Sequence, residues 1–273
     1  MKYYTVYRPH HSIEYLQRAV DAGIQGFEIK NLKSYLPQEE YASYLERLQS
    51  VRERLGVNTV IHAPILDVTL GSLNRRVRNV AINEVKDSID LAKELGSTVV
   101  VVHGMMGILT MPPGEWSKQV YRPTREEREL VEKQDKNVVQ ALKECADYAP
   151  NIILAVENLV FPHEMYRSPE EMEELLYKVN RPNVGITLDI GHAAVSGYRA
   201  SEYLNRLSEH IFHVHLHDNH GVIDEHLPLG EGTLDYIGII HNLMDSGYPG
   251  AVTFEFSLEN PEEFRQYILK KSE

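Results

Sequence analysis

The chain has 273 residues, 42% hydrophobic and 25% charged, the balance of a soluble globular protein with length for one large α/β domain or two small ones. A formal net charge of -12 gives no overall basic footprint for nucleic acid, although a local basic groove can sit on an acidic protein. One cysteine, Cys145, excludes an intrachain disulfide. The N-terminus MKYYTVYRPHH lacks the apolar core of a signal peptide, and the longest aliphatic run, VVVV at 99–102, is too short to span a membrane. A cytoplasmic protein without membrane partners is expected.

Strand-like and helix-like runs alternate in chain order. YYTVY (3–7) and IQGFEI (24–29) open the chain, followed by the helical run EEYASYLERLQSVRERLG. NTVIH (58–62) precedes a helix with apolar residues at Val77, Val80, Ala81, Val85, Ile89, Leu91, Ala92 and Leu95, spaced by three and four. TVVVVH (98–103) leads into a long loop, 104–124, which carries Met105, Met106, Leu109, Met111, Trp116 and Tyr121. A lid over a site and an oligomer contact are both open for it. The next helix, TREERELVEKQDKNVVQALKECADYA, starts on a capping box of Thr124 and Glu127 and puts Cys145 on one face with Val138 and Leu142, a buried position. IILAVE (152–157) follows, then a second capping box of Ser168 and Glu171 with proline between. VGITLD (184–189), IFHVHLH (211–217), the loop DNHGVIDEHLPLGEG and AVTFEF (251–256) complete the chain. Gly23, Gly56, Gly96 and Gly247 follow helical segments as stop signals.

Eight β units, most followed by a helix and divided by no linker, predict a (β/α)8 TIM barrel occupying 1–273 as one domain. A doubly wound open sheet would want a glycine-rich loop after the first strand, where this chain reads YRPHHS. Strand parity agrees with the barrel. Leu154 and Val156 oppose Ala155 and Glu157; Ile186 and Leu188 oppose Thr187 and Asp189; Val252 and Phe254 oppose Thr253 and Glu255. The large aliphatics face the helices, and the charged residue comes last, at the C-terminal end where barrel sites lie.

Glu157, Asp189, His215 and Glu255 end strands five to eight. Three carboxylates and an imidazole suit a divalent cation, Zn2+, Mn2+, Mg2+ or Co2+, with positions left for substrate. His62, His103, His192, Asp224 and His226 form a second tier. They either complete further zinc sites or bind a hydroxyl-rich substrate. Glu28, near the end of strand two, is placed to orient a histidine. His213 is expected one layer below the site and His217 on the rim. Arg75, Arg76 and Arg78 are either a solvated helix start or a contact for an anionic group.

HAP at 62–64, EN at 157–158, LDIGH at 188–192, VHLHD at 214–218, DEHLPLGEG at 224–232 and the strand-eight glutamate, in that order, resemble the xylose-isomerase-like barrel superfamily. That superfamily includes sugar-phosphate isomerases and epimerases and the endonuclease IV type. The resemblance implies a metal on Glu157, Asp189, His215 and Glu255, with Glu157 and Glu255 moving protons through a metal-stabilised enediolate of a sugar, sugar phosphate or polyol. In the endonuclease IV type it implies three zincs, His62 and His103 joining Glu157, and His192, Asp224 and His226 making the third site. All nine residues are present, so one to three ions fit. The stretch NLVFPHEMYRS after Glu157, DIGH and HLHDN lean toward sugar chemistry, while His103 leans the other way. The leading expectation is a metal-dependent sugar isomerase or epimerase. A three-zinc phosphodiesterase and a non-catalytic sugar or metal sensor are the alternatives, and a homo-oligomer is compatible with each.

Overall fold

Alternating side chains decide the architecture. The computed structural model describes residues 1–66, 68–104, 125–161 and 164–269. Eight parallel strands, β1 (Lys2–Val6), β2 (Gly26–Lys30), β3 (Asn58–His62), β4 (Val99–His103), β5 (Ile153–Glu157), β6 (Val184–Asp189), β7 (Ile211–Leu216) and β8 (Ala251–Phe254), pair in chain order, and β8 closes on β1. This is a (β/α)8 TIM barrel. Leu154, Val156, Ile186, Leu188, Val214, Leu216, Val252 and Phe254 point outward into one large core with the helices. Tyr4, Val60, Val101 and Ala251 make a small cluster of their own, on the inward parity of their strands. Above it the inward positions turn polar.

The helices follow from their caps and stripes. The α1 helix (Ile13–Asp21) starts on Ser12, whose hydroxyl accepts from the Tyr15 amide. The α2 helix (Gln38–Leu55) stops at Gly56, where φ of 63° in the left-handed region suits a residue without Cβ. The α3 helix (Arg75–Glu94) buries Ala81, Ile82, Val85, Ile89 and Ala92. Val77 and Val80, expected on that stripe, are exposed, and burial of the helix begins at Ala81. In α4 (Arg125–Tyr148), Val138, Leu142 and Cys145 are fully buried. The Thr124 cap and the 105–124 part of the long loop lie outside the described residues. The α5 helix (Pro169–Val179) carries the predicted capping box, Ser168 Oγ accepting from Glu171 N at 3.1 Å and Glu171 Oε2 accepting from Ser168 N at 3.2 Å. Two short helices, α6 (Ile190–Val195) and α7 (Ala200–Leu207), connect β6 to β7. The α8 helix (Tyr236–Asp245) and α9 (Phe264–Leu269) follow.

Strand register sets the site. It places His103 beside Glu157 and Asp189 beside His215, all at the C-terminal edge. No described helix is long and apolar enough to cross a membrane.

Candidate metal centre

Four side chains from four consecutive strands meet at one point inside the barrel mouth. His215 Nδ1 lies 3.2 Å from Glu157 Oε1, 3.3 Å from Glu255 Oε2 and 3.7 Å from Asp189 Oδ2. Parity and register bring them together, since each is the last or next-to-last residue of its strand or follows it directly. The back of the imidazole is held from below. Glu28 Oε2 accepts from His215 Nε2 at 3.0 Å and from His213 Nε2 at 2.9 Å, and His213 also meets Thr253 Oγ1 at 2.9 Å. That bond holds one proton on His215 Nε2 and turns Nδ1 toward three carboxylates, so that a cation displacing the Nδ1 proton would meet its lone pair.

The second tier surrounds this point in two sets. His62 Nε2 and His103 Nε2 approach Glu157 Oε2 at 3.4 and 3.0 Å. On the other flank, His192 Nε2 and His226 Nε2 lie 3.3 and 3.0 Å from Asp224 Oδ2. The 218–232 loop is braced for this. Asp218 and Leu227 exchange backbone hydrogen bonds of 2.8 and 2.9 Å, and the Asp218 carboxylate accepts from the amides of Gly230 and Leu234.

Asp189 explains the DIGH spacing. It caps α6, its Oδ1 accepting from the His192 amide at 2.7 Å, so the aspartate and the histidine three residues on are fixed by one helix start. Asn158 locks the same junction. Its amide donates to Asp189 O at 2.9 Å, its Oδ1 accepts from Asp189 N at 2.8 Å, and its main-chain carbonyl accepts from His192 Nδ1 at 2.9 Å.

The electrostatics are those of a cation cradle. Burial pushes Glu157 and Asp189 up, but His215 and His103 around the first, and His192 and His217 around the second, hold both carboxyls well below their ordinary values. Burial lowers His215, yet Glu28, Glu255 and Glu157 outweigh it and raise the imidazole well above its usual range. His226 is likewise lowered by burial but pushed up to about 9 by Asp224 and Glu255. Among the described residues, nothing donates a hydrogen bond to the buried Asp189 Oδ2, which is costly for a carboxylate oxygen without a positive neighbour. The donor set and this orphaned oxygen fit a divalent cation among Glu157, Asp189, His215 and Glu255, whose ligand atoms lie within 4.8 Å of one another.

A cavity of about 310 Å3 opens onto the centre. Its floor is His62, His103, Glu157, His192, Asp224, His226 and Glu255, and Ile65, Leu66, Val68, Leu159 and Phe161 supply an apolar wall. All nine residues expected from the sequence converge here, and Glu28 sits beneath them. His213 lies one layer down, as expected. His217 does not lie on the rim. It is fully buried, 3.2 Å from Asp189 Oδ1 and 3.6 Å from Asp224 Oδ1, because the inward alternation of HVHLH continues one residue past the end of β7. The signal for it was present in that alternation. Asn158 was visible only as part of a motif, and Lys30, which also lines the cavity, carried no signal.

Residues 16–269 match the model of the xylose isomerase-like TIM barrel family. The chain belongs to that family. An uncharacterized Methanocaldococcus jannaschii protein is 35% identical over 214 residues, 77% of this chain and 68% of that one. Fructoselysine 3-epimerase of Shigella flexneri is 24% identical over 206 residues, 73% of this chain and 67% of that protein. The crystal structure of a D-tagatose 3-epimerase-like protein matches with a TM-score of 0.78 at 28% identity, covering 99% of this chain and 96% of that one.

Proposed function

We propose that the chain is a divalent-metal-dependent isomerase or epimerase of a sugar, sugar phosphate or related polyol. The observation that carries this reading is the placement of Glu157 and Glu255. They reach the same imidazole nitrogen, at 3.2 and 3.3 Å, from the ends of β5 and β8, three strands apart around the barrel. A substrate seated between them presents one face to each carboxylate. One takes the proton from the carbon next to a carbonyl, and the other returns a proton to that carbon or its neighbour. Glu157, Asp189, His215 and Glu255 would hold a divalent cation, which would supply Lewis-acid polarisation of the substrate oxygens and offset the charge of the ionised carbon. Glu28 and His213 are positioning residues for His215. His62 and His103 sit where they can bind hydroxyls or share a cation with Glu157. The apolar wall excludes water from the ionising carbon. The similarity to a fructoselysine 3-epimerase and to a D-tagatose 3-epimerase-like protein supports this reaction class.

Glu255→Gln tests the proposal. It is expected to abolish turnover of a responding ketose while circular dichroism and melting temperature stay those of the parent; full turnover in this variant rejects the role of Glu255. The gathering of several ligand groups around Glu157 and Asp189 favours a second reading, a multi-zinc phosphodiesterase. Cleavage of an abasic DNA duplex by the zinc-loaded protein, with no activity on any ketose, would replace the first reading by the second.

A further inference from the structure

One lysine shares the barrel mouth with the carboxylates and pairs with none of them. Glu28 turns inward from β2, since it bonds His215 and His213. Gly26 shares that face, where a Cβ would lie 2.5 Å from Tyr4 Cζ. Side chains alternate along a strand, so Lys30 is the next inward position, one layer above Glu28 at the end of β2. The register sets it beside His62, and the Tyr44 hydroxyl, donating to Lys30 O at 3.0 Å, holds its main chain. Lys30 lines the cavity of about 310 Å3 together with Glu157, Glu164, Asp224 and Glu255, and no other lysine or arginine is among the described lining residues. Each of those carboxylates is already engaged. Imidazoles hold Glu157, Asp224 and Glu255, and the amides of Val160 and Phe161 donate to Glu164 at 2.9 and 2.7 Å. Lys30 is exposed and forms no ion pair among the described residues, in a chain where 40 acidic residues face 28 basic ones. An uncompensated ammonium, at the level where the other strands deliver their functional groups, is suited to an anion.

We propose that Lys30 binds an anionic group, phosphate or carboxylate, at the far end of the substrate, so that the protein acts on charged rather than neutral sugars. This rests on the isomerase or epimerase reading of the same cavity. Glu157 and Glu255 fix the reacting carbons at the β5–β8 half of the mouth, while Lys30, His62 and His103 line the β2–β4 half. A substrate chain that leaves the two glutamates therefore crosses toward β2. Ile65, Leu66 and Val68, from the loop after β3, line the cavity there and offer an anion nothing. His62 and His103 are held against Glu157 at 3.4 and 3.0 Å, so an anion placed on them would meet that carboxylate. Lys30 carries no such competitor. Its compact charge on a four-carbon stem can meet either anion. The pair strengthens once the substrate fills the cavity and displaces water.

Ratios within matched pairs of ligands test this. Metal-replete full-length protein is titrated by calorimetry with D-fructose, D-tagatose, D-ribulose and D-xylulose, with the terminal phosphate of each, and with the keto acids D-fructuronate and D-tagaturonate. Exchange of substrate hydrogen in D2O is followed on the same set. The expected result is that at least one anionic member binds about tenfold to 100-fold more tightly than its neutral partner, the contribution of a charge-assisted pair, with the gain appearing in KM. Preference confined to phosphates or to keto acids identifies the anion. In Lys30→Met the preference disappears, and in Lys30→Arg, which keeps the charge, it is retained. A merely structural Lys30 would weaken both members of a pair alike and leave their ratio unchanged, which overturns the proposal. So do equal affinities within every pair of the parent, a preference for the neutral sugars, or no binding of any anionic member. A binding preference that Lys30→Met removes, with no exchange in D2O of any ligand, upholds the anion site and rejects the isomerase reading alone.

Discussion

Glu28→Gln separates the charge of a buried carboxylate from its shape. Glu28 Oε2 accepts from His215 Nε2 at 3.0 Å and from His213 Nε2 at 2.9 Å. The amide is nearly isosteric, and its carbonyl oxygen can occupy the same place, so both bonds survive in neutral form. A hydrogen bond to an ionised partner contributes about 1.5–3 kcal/mol and a neutral one about 0.5–1.5 kcal/mol. Making the His215 bond neutral therefore costs about 1–1.5 kcal/mol of the basicity that Glu28 lends to Nδ1. That corresponds to about a tenfold loss of metal affinity at the metal centre. Glu28→Ala leaves the buried His215 Nε2–H without an acceptor and His213 Nε2 with Thr253 Oγ1 alone, and extends the loss toward about 100-fold. Competition against a chromophoric chelator measures both, with melting curves in excess chelator as the control for folding. Affinities within twofold of the parent in both variants would refute the positioning role of Glu28.

Phe254→Ala removes a fully buried ring stacked on Tyr3 at 5.5 Å and Phe264 at 5.7 Å; denaturant unfolding should show a loss of about 3–5 kcal/mol, and a loss under 1 kcal/mol would contradict the packing described. Burial pushes the Cys145 thiol up to about 12, so a disulfide reagent at neutral pH should leave the native protein untouched and titrate one thiol only after unfolding. Burial also raises Tyr4 from 10.0 to about 12. The neutral phenol is the form the fold favours, so its contribution to stability is complete below pH 10 and declines as pH rises toward 12. Melting temperatures across that window should fall as tyrosinate absorbance grows, and a titration near pH 10 with no loss of stability would oppose this.

Much of the site was readable because strand geometry is simple. An apolar run that ends in an acidic or histidine side chain, with alternation fixing its face, located Glu157, Asp189, His215 and Glu255 to the strand ends where they are found. The DIGH spacing was readable because a helix cap and its third residue are coupled. What could not be read depended on distances between segments far apart in sequence. The inward face of His217 was in the alternation, but its seat over Gly191 needed the end of β7 beside the start of α6, and the link between Glu28 and His213 needed β2 and β7 to face each other across the interior. Val77 and Val80 obey the helical period yet are exposed, because a period says which residues share a face and not what covers it. The Asn158 clamp joins β5 to the start of α6, a contact no local pattern encodes.

The central claim is that two glutamates and a cation exchange a proton on a carbon beside a sugar carbonyl. Proton NMR of the metal-replete protein in D2O, with a panel of ketoses and ketose phosphates, measures that exchange directly. The account predicts that one substrate loses the signal of its C–H next to the carbonyl, and that chelation or Glu157→Gln stops the loss. No exchange in any ketose or ketose phosphate, or exchange that continues at full rate after the metal is removed, would contradict it.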